Sequence, residues 1–310
     1  MITALFSDRA ANWAAYEAPL HAAFQAAGLD VTLVCEAPPE SVDYVIYAPA
    51  GGLQDFAPFT NLKAVLSLWA GVESIETNRT ITVPLCRMVD SGLSEGMVEW
   101  VTGHILRHHL GMDAHIHGQD GVWRNDVVPP LARERVVGFL GLGELGLACA
   151  QAAAALNFDV KGWSRSLKTG AGIETFSGAD GLRELLSVAE ILVLLLPDTA
   201  ATKGILDAEA FAMLPQDVII INPGRGGLID DDALLGALNS GKVGHATLDV
   251  FQVEPLPSEH PFWGHAKVTV TPHIASETRP ATAALTIAEN IRRGENGEPY
   301  LHVVDRKAGY

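Results

Sequence analysis

Short apolar runs alternate with segments of helical spacing along almost the whole chain. In its first part the apolar runs lie at residues 2–6, 31–34, 44–47, 64–68 and 83–88. Between the first two, residues 12–27 have the spacing of a helix that ends at Gly28, a residue common just past helix ends. This alternation predicts an α/β protein in which helices cover both faces of parallel sheets.

The alternation resumes in the second part of the chain, after a long helix predicted over residues 94–117. We expect Ser94 to be the N-cap of that helix, because its hydroxyl suits the free N–H groups of a first turn. The loop 121–130 contains proline and polar residues and is the expected entry to a second domain. Further strands are predicted at residues 135–140, 160–163, 191–196, 218–222, 246–249 and 268–271.

Two later helices have recognisable positions. One is predicted over residues 230–239, with Asp230 as its N-cap and Gly241 just beyond its end. The other, at about residues 280–293, follows the last strand of the second domain. If this helix packs against the first domain, that domain is discontinuous in sequence.

Composition narrows the class of protein. With 310 residues, 48% of them hydrophobic and 19% charged, the chain is long enough for two domains and typical of a globular enzyme. The formal net charge of -16 opposes binding to nucleic acid and to anionic membranes, so we expect neither as a partner. The three cysteines form no C-x-x-C pair, and we expect no metal site.

Nothing in the sequence indicates export or membrane insertion. The longest strongly apolar run, residues 191–196, is far shorter than the roughly 20 residues that span a bilayer. The N-terminal residues lack the basic start of a signal peptide. We therefore expect a cytoplasmic protein.

A glycine-rich motif follows the first strand of the second domain. It reads Gly141, Leu142, Gly143, Glu144, Leu145, Gly146, and it opens an alanine-rich helix predicted over residues 147–156. The G-x-G-x-x-G spacing alone is weak evidence, but the strand before it and the helix after it are what a dinucleotide site requires. In such a site the first glycine permits the turn, the second lets the backbone approach a pyrophosphate, and the third lets the helix pack closely.

The end of the next strand predicts the choice of cofactor. An NAD site usually has an acid here for the ribose 2′-hydroxyl, but this chain reads Trp163, Ser164, Arg165, Ser166, with Lys168 nearby. A guanidinium can bind a 2′-phosphate with two charge-assisted hydrogen bonds, and the serine hydroxyls can add donors. We therefore expect NADPH to be preferred, with NADH possible as a second cofactor.

Three downstream segments contain residues suited to catalysis. They are NPGRGG from residue 222, LDVFQVEP from residue 248 and TPHIAS from residue 271, and each follows a predicted parallel strand. Ligands of open α/β sheets bind at the carboxyl ends of such strands. Taken singly, an arginine after a strand, a glutamate before proline and a histidine in a turn each have an ordinary structural explanation. Their joint occurrence in this order, after the glycine motif, is far more specific.

These segments resemble the D-isomer-specific 2-hydroxyacid dehydrogenases, and the resemblance covers essentially the whole chain. Within the family, the chain is most similar to the glyoxylate/hydroxypyruvate reductase A branch. The segments SLWAGVE at 67–73, GWSRS at 162–166 and VDRKAGY at 304–310 support that branch.

The resemblance implies an architecture. It consists of two Rossmann-like or flavodoxin-like domains with parallel sheets, the cofactor domain being inserted into the substrate domain. Residues 1–96 and 279–310 would form the substrate-binding domain, and residues 97–278 the NAD(P)-binding Rossmann domain. The family is usually dimeric, so a homodimer is expected, with the helix from Ser94 at its interface.

The resemblance also implies roles for individual residues. Arg225 would bind the substrate carboxylate and polarise the ketone, His273 would be the general acid, and Glu254 would orient and charge the imidazole. The turn after the strand at 64–68 would hold the substrate carboxylate, through Trp69, Ala70, Gly71 and Val72. Several further residues would line the cofactor, namely Pro197, Thr202, Asn222, Asp249 and His273 itself.

The function implied is NADPH-dependent reduction of small 2-keto acids, such as glyoxylate to glycolate and hydroxypyruvate to D-glycerate. Two alternatives stay open at this point. One is another D-2-hydroxyacid dehydrogenase, of the D-lactate or phenylpyruvate type. The other is a nucleotide-sensing binding protein of the same fold, against which the intact set of Arg225, Glu254 and His273 argues.

Overall fold

The computed structural model describes residues 1–125, 128–170, 172–307 and 309. It divides into two compact units, the first formed by Met1–Leu93 with Glu277–Tyr310 and the second by Ser94–Ser276. The second unit is therefore inserted into the first, which confirms the expected fold class. The expected boundaries at 96 and 279 compare with observed ones at 93 and 277. The described residues exclude 126 and 127 of the loop 121–130, and Ala308 and Tyr310 of the C-terminal segment.

The first unit is built on a parallel sheet of five strands among the described residues, in the order β2-β1-β3-β4-β5. The side chains of β1 alternate, so that Ala4 and Phe6 join one apolar cluster while Leu5 joins the other. Burial on both faces explains why these strands read as continuous apolar runs. The strands are β1 Ile2–Ser7, β2 Val31–Val34, β3 Tyr44–Tyr47, β4 Ala64–Ser67 and β5 Leu85–Cys86. The helices of this unit are α1 Trp13–Ala26 and the late helix α8 Pro280–Glu295.

Helix α8 belongs to the first unit, as the sequence suggested. Its apolar residues Ala283, Ala284 and Ile287 share one cluster with Leu20 and Phe24 of α1 and with one face of the sheet. The first domain is therefore discontinuous, because the chain returns to it after completing the second unit.

The second unit is built on a larger parallel sheet, with seven strands among the described residues in the order β12-β11-β10-β9-β6-β7-β8. Apolar clusters lie on both faces, with Phe139 in one and Leu140 in the other. The strands are β6 Val136–Leu140, β7 Asp159–Trp163, β8 Glu174–Phe176, β9 Ile191–Leu194, β10 Val218–Asn222, β11 Val243–Leu248 and β12 Val268–Val270. The helices are α2 Ser91–His109, which begins in the first unit, α3 Met112–Ile116, α4 Glu144–Ala155, α5 Gly178–Val188, α6 Ala208–Met213 and α7 Asp231–Ser240.

The prediction of one helix over residues 94–117 with Ser94 as N-cap is wrong. Helix α2 begins at Ser91, and the Asp90 carboxylate caps it by accepting a hydrogen bond from the Leu93 N–H at 2.9 Å. A carboxylate three residues before a first-turn N–H is a strong cap, so the later serine lies inside the helix. At the other end Gly111 adopts a left-handed conformation, with φ of 60°, and separates α2 from α3.

The prediction for α7 is confirmed. The Asp230 side chain accepts a hydrogen bond from the Ala233 N–H at 2.9 Å, and Gly241 follows the helix in a left-handed conformation.

Across the part of the chain that the structure describes, we find no helix with both the length and the apolar character to cross a membrane.

Candidate active site

The glycine motif lies where the strand order of the larger sheet reverses, between β6 and its neighbours β9 and β7. Gly141 follows β6 with φ of 105°, and a Cβ there would lie 2.5 Å from the Leu195 carbonyl oxygen. A Cβ on Gly146 would lie 2.0 Å from the Gly141 carbonyl oxygen. Both positions therefore require glycine, and they turn the chain directly from the strand into helix α4.

The middle glycine differs from the other two. No heavy atom of the described residues lies within 4 Å of a Cβ built on Gly143. Glu144 and Leu145 follow it as the first residues of α4, so the free N–H groups of the helix begin at this exposed turn. The turn has the geometry with which α/β proteins bind a pyrophosphate.

The loop after β7 is shaped by its own hydrogen bonds. The Trp163 indole N–H donates to the Gly178 carbonyl at 2.9 Å, which ties the end of β7 to the start of α5. Ser164 is buried, and its hydroxyl donates to the Ser166 carbonyl at 2.7 Å. Arg165, Ser166 and Lys168 are exposed. The hydroxyl hydrogen of Ser164 is thus used to shape the loop, which leaves the other three residues as the ones that face solvent.

A compact turn follows β9, beside the glycine motif. The Thr202 hydroxyl donates to the Pro197 carbonyl at 2.6 Å and accepts from the Thr199 N–H at 2.9 Å. Thr202 therefore fixes the shape of this turn, whose exposed side is set by Pro197 and its neighbours.

Arg225 is held by the residue that ends β10. Asn222 is 1% exposed, and its side-chain amide accepts from the Gly224 N–H at 3.1 Å and donates to the Arg225 carbonyl at 2.9 Å. The Arg225 Nη1 atom donates to the Gly224 carbonyl at 2.6 Å. A buried amide that closes the turn from both sides fixes the backbone from which the guanidinium extends.

Glu254 and His273 form a hydrogen-bonded pair. The His273 Nδ1 atom lies 2.7 Å from Glu254 Oε2, and Glu254 Oε1 accepts from the Phe251 N–H at 2.9 Å. A carboxylate only accepts, so the hydrogen of the pair is on Nδ1, and Nε2 is the ring atom left for another partner. The side chains of His273 and Glu254 are 52% and 36% exposed, so the pair is accessible to a ligand.

Asp249 has a structural role that was not predicted. It is 0% exposed, and its carboxylate accepts three hydrogen bonds, from the Thr271 hydroxyl at 2.6 Å and from the N–H groups of Ile274 and Ala275 at 2.9 Å each. Its carbonyl also accepts the His273 N–H at 2.8 Å. His273 has a φ of 55°, which is uncommon for a residue other than glycine and needs support from its surroundings. Asp249 therefore fixes the backbone that presents the imidazole.

A signal for this role was present in the sequence. Strands β11 and β12 are neighbours, and Asp249 and Thr271 stand one residue beyond their carboxyl ends. An acid and a hydroxyl at matching positions of adjacent strands predict a hydrogen bond, but only once the strand order is known.

The turn after β4, in the first unit, is also well defined. The Trp69 N–H donates to the Ser67 hydroxyl at 3.0 Å, while the Trp69 carbonyl accepts from the Met88 N–H. Trp69 is 43% exposed and Val72 is buried. Turns rather than a helix follow, and no hydrogen bond among the described residues uses the N–H groups of Gly71 or Val72.

Comparison with known proteins decides the family. Residues 102–275 match the family model described as D-isomer specific 2-hydroxyacid dehydrogenase, NAD binding domain. The chain is also 40% identical, over 257 residues, to glyoxylate/hydroxypyruvate reductase A of Serratia proteamaculans, an alignment that covers 80% of this chain and 82% of that protein. The chain belongs to the D-isomer-specific 2-hydroxyacid dehydrogenase family. This membership makes it an NAD(P)-dependent dehydrogenase.

Two solved structures of the dehydrogenase family match nearly the whole chain. A D-isomer specific 2-hydroxyacid dehydrogenase from Xanthobacter autotrophicus, in complex with NADPH and MES, has a TM-score of 0.92 and 41% identity over 99% of both chains. An NADPH-dependent glyoxylate/hydroxypyruvate reductase from Sinorhizobium meliloti, in complex with NADP and sulfate, has a TM-score of 0.87 and 35% identity over 100% of both chains.

Within this dehydrogenase, the residues predicted for cofactor binding and catalysis follow strands of the one larger sheet. They lie after β6, β7, β9, β10, β11 and β12, at the edge where all six strands end. The predicted substrate turn, with Trp69, Ala70, Gly71 and Val72, occupies the carboxyl end of β4 in the smaller sheet.

Proposed function

We propose that this dehydrogenase reduces small 2-keto acids with NADPH, taking glyoxylate to glycolate and hydroxypyruvate to D-glycerate. The observation that carries the proposal is the His273–Glu254 hydrogen bond of 2.7 Å. It stands at the same sheet edge as the glycine turn and Arg225, so an acid, a cation and a nucleotide-binding turn follow strands of one sheet.

The residues of the chain fit an NADPH molecule. The open backbone at Gly143 and the start of α4 would hold the pyrophosphate. The exposed cations Arg165 and Lys168, with Ser166, would hold the 2′-phosphate, and NADH remains possible as a second cofactor. NADPH in the Xanthobacter relative and NADP in the Sinorhizobium relative support the assignment. When bound, the cofactor supplies the hydride that reduces the keto carbon.

The side chains of the larger sheet would then complete the reaction. The Arg225 guanidinium would bind the carboxylate and the keto oxygen of the substrate, which lie side by side in a 2-keto acid. His273 Nε2 would donate a proton to that keto oxygen as the carbon is reduced, giving a 2-hydroxy acid. Glu254 would orient the ring through Nδ1, so that Nε2 faces the substrate.

The first unit would supply the remaining substrate contacts. The N–H groups of Gly71 and Val72 would bind the substrate carboxylate, with Ala70 completing the turn. Trp69 has an exposed indole that would restrict the space to two- and three-carbon acids. The keto acid would therefore be recognised through hydrogen bonds and shape.

We also propose a cytoplasmic homodimer, with α2 and the segment after it at the interface. Four large apolar side chains follow α2 and are exposed in the single chain, namely Leu110, Met112, Ile116 and Trp123. Burial of such a group against a second copy would remove apolar surface from water. Light scattering on the purified protein should give twice the mass of one chain.

The proposed activity is tested by NADPH consumption with a panel of keto acids. We expect turnover with glyoxylate and hydroxypyruvate, with kcat/KM higher for NADPH than for NADH. A clear preference for pyruvate or phenylpyruvate would instead indicate another dehydrogenase of the family. NADPH binding without turnover of any keto acid would contradict the enzyme assignment and indicate a nucleotide-sensing protein.

A further inference from the structure

The segments that carry Arg225 and Glu254 touch each other behind the proposed site. Gly226, which is buried and follows Arg225, packs against the backbone of the second segment, where a Cβ on it would lie 2.0 Å from the Phe251 carbonyl carbon. Only glycine permits this approach. The arginine turn and the glutamate loop are therefore in direct backbone contact at Phe251 and Gln252.

The side chain of Gln252 joins the same two segments a second time. Its Nε2 atom donates to the Ile229 carbonyl at 3.1 Å. Asp231, the first residue of α7, lies just beyond, with the His260 Nε2 atom 3.6 Å from its Oδ2 atom. Burial raises the pKa of the Asp231 carboxyl above its ordinary value, while the nearby His260 and Gln252 side chains oppose that rise. Gln252 thus joins the glutamate loop to the end of the arginine segment through the Ile229 carbonyl.

The path from Gln252 to the proposed acid is short. The residue before it, Phe251, donates its N–H to Glu254 Oε1 at 2.9 Å, and Glu254 Oε2 holds His273 at 2.7 Å. A shift of the loop at Gln252 would therefore move the carboxylate that orients the imidazole. Arg225 would not follow, because Asn222 anchors it to β10.

We propose that Gln252 is a positioning residue, whose amide fixes the spacing between Arg225 and the Glu254–His273 pair. The inference rests on the proposed keto-acid reduction, in which Arg225 holds the substrate that His273 protonates. Gln252 itself acts through Glu254 and touches no reacting atom in this scheme.

The test replaces Gln252 with a side chain of similar length that cannot donate. For Gln252→Met we expect kcat/KM for glyoxylate to fall about three- to tenfold, the range of one hydrogen bond to a neutral acceptor. The KM for NADPH should stay within about twofold, because the glycine turn and the Arg165 loop follow β6 and β7. Gln252→Lys restores a donor for the Ile229 carbonyl and should recover at least half of the lost kcat/KM.

Gln216→Met is the matched control. Gln216 is also exposed and its Nε2 atom donates to a backbone carbonyl, that of Gly241, at 2.8 Å, but it precedes β10 whereas Arg225 follows that strand. We expect this variant to keep wild-type kcat/KM. Thermal unfolding of all three variants separates a loss of fold from a loss of positioning.

Four results would overturn the inference. Wild-type kcat/KM in Gln252→Met would remove Gln252 from the role. An equal loss of kcat/KM in Gln216→Met would make the effect merely structural. The same conclusion would follow if Gln252→Met lost kcat/KM together with a lower Tm and Gln252→Lys did not restore it. Absence of keto-acid turnover in the wild-type protein would overturn the proposed function first, and the positioning role with it.

Discussion

Replacement of Asp249 by asparagine should lower both the stability and the turnover of the protein. The carboxylate accepts three hydrogen bonds in a site with no solvent exposure. Asparagine has nearly the same shape but offers one acceptor oxygen. If that oxygen keeps Thr271 and Ile274, the amide nitrogen must face the Ala275 N–H, and two donors then oppose each other.

The expected magnitude follows from those contacts. A hydrogen bond to a charged group contributes about 1.5–3 kcal/mol, and a buried donor without a partner costs about 1–3 kcal/mol. With some relaxation of the segment, the free energy of unfolding should fall by about 3 kcal/mol. Relaxation would also displace His273, and misplacement of a catalytic group by 1 Å can cost about 100-fold in rate. We therefore expect a 10- to 100-fold loss of kcat. The upper end corresponds to a full shift of His273 by about 1 Å, and the lower end to a partial shift.

Urea unfolding and NADPH-coupled keto-acid reduction measure the two effects on the same preparation. Thr271→Val is the graded control, because it removes one of the three donors and leaves both backbone donors in place. It should cost about 1.5 kcal/mol, the lower end of the range for a charged acceptor, and leave turnover within about threefold. An Asp249→Asn protein with wild-type stability and turnover would refute the view that this carboxylate fixes the histidine segment.

Three further predictions concern the cofactor, acid stability and the glycine turn. Arg165→Ala should lower kcat/KM for NADPH about 10- to 100-fold and leave that for NADH nearly unchanged, because a charge-assisted hydrogen bond contributes about 1.5–3 kcal/mol; equal losses with both cofactors would contradict a 2′-phosphate contact. Burial lowers the pKa of His108 to about 3 and that of His245 to about 4, from an ordinary 6.5. Both rings thus stay neutral in the folded protein but become protonated in the unfolded chain as the pH falls below about 6.5. Their contribution to the free energy of unfolding is fully present above about pH 6.5 and decreases as the pH drops towards 4. Between pH 7 and pH 5 the free energy of unfolding, measured with urea, should fall by about 2 kcal/mol for each ring. His108→Gln should reduce this pH dependence, and a urea midpoint that does not change with pH would contradict it. Gly141→Ala should lower the free energy of unfolding by at least about 3 kcal/mol, because it combines a positive φ with a backbone clash. Gly143→Ala should keep the wild-type stability but bind NADPH more weakly in a titration.

The sequence predicted the parts of the fold that local patterns encode. The apolar runs gave the strands of both sheets except β8, whose three residues Glu174–Phe176 form no apolar run. Asp230 and Gly241 gave the ends of α7, because caps act through residues adjacent in sequence. The extent of α2 was wrong for the same reason. A serine with cap character at 94 was preferred to Asp90, although a helix end depends on which side chain reaches a free N–H.

The site residues stay predictions, and the sequence indicated only some of the contacts that the structure shows among them. The glycine motif and the resemblance indicated the turn at Gly141 and the set of Arg225, Glu254 and His273. The resemblance implied a cofactor contact for Asp249, which stays a prediction; the structure adds three hydrogen bonds from its carboxylate to the histidine segment. Such a contact depends on the adjacency of β11 and β12, which apolar patterns do not encode.

The central claim is that His273 protonates a keto acid whose reduction uses NADPH. It is tested most directly by the turnover of purified His273→Gln with glyoxylate at saturating NADPH, since glutamine keeps a polar side chain without an acid of suitable strength. Loss of a positioned general acid predicts a kcat about 10²–10⁴-fold below that of the wild-type protein, with NADPH binding preserved. A variant that reduces glyoxylate at a rate near that of the wild type would contradict the account.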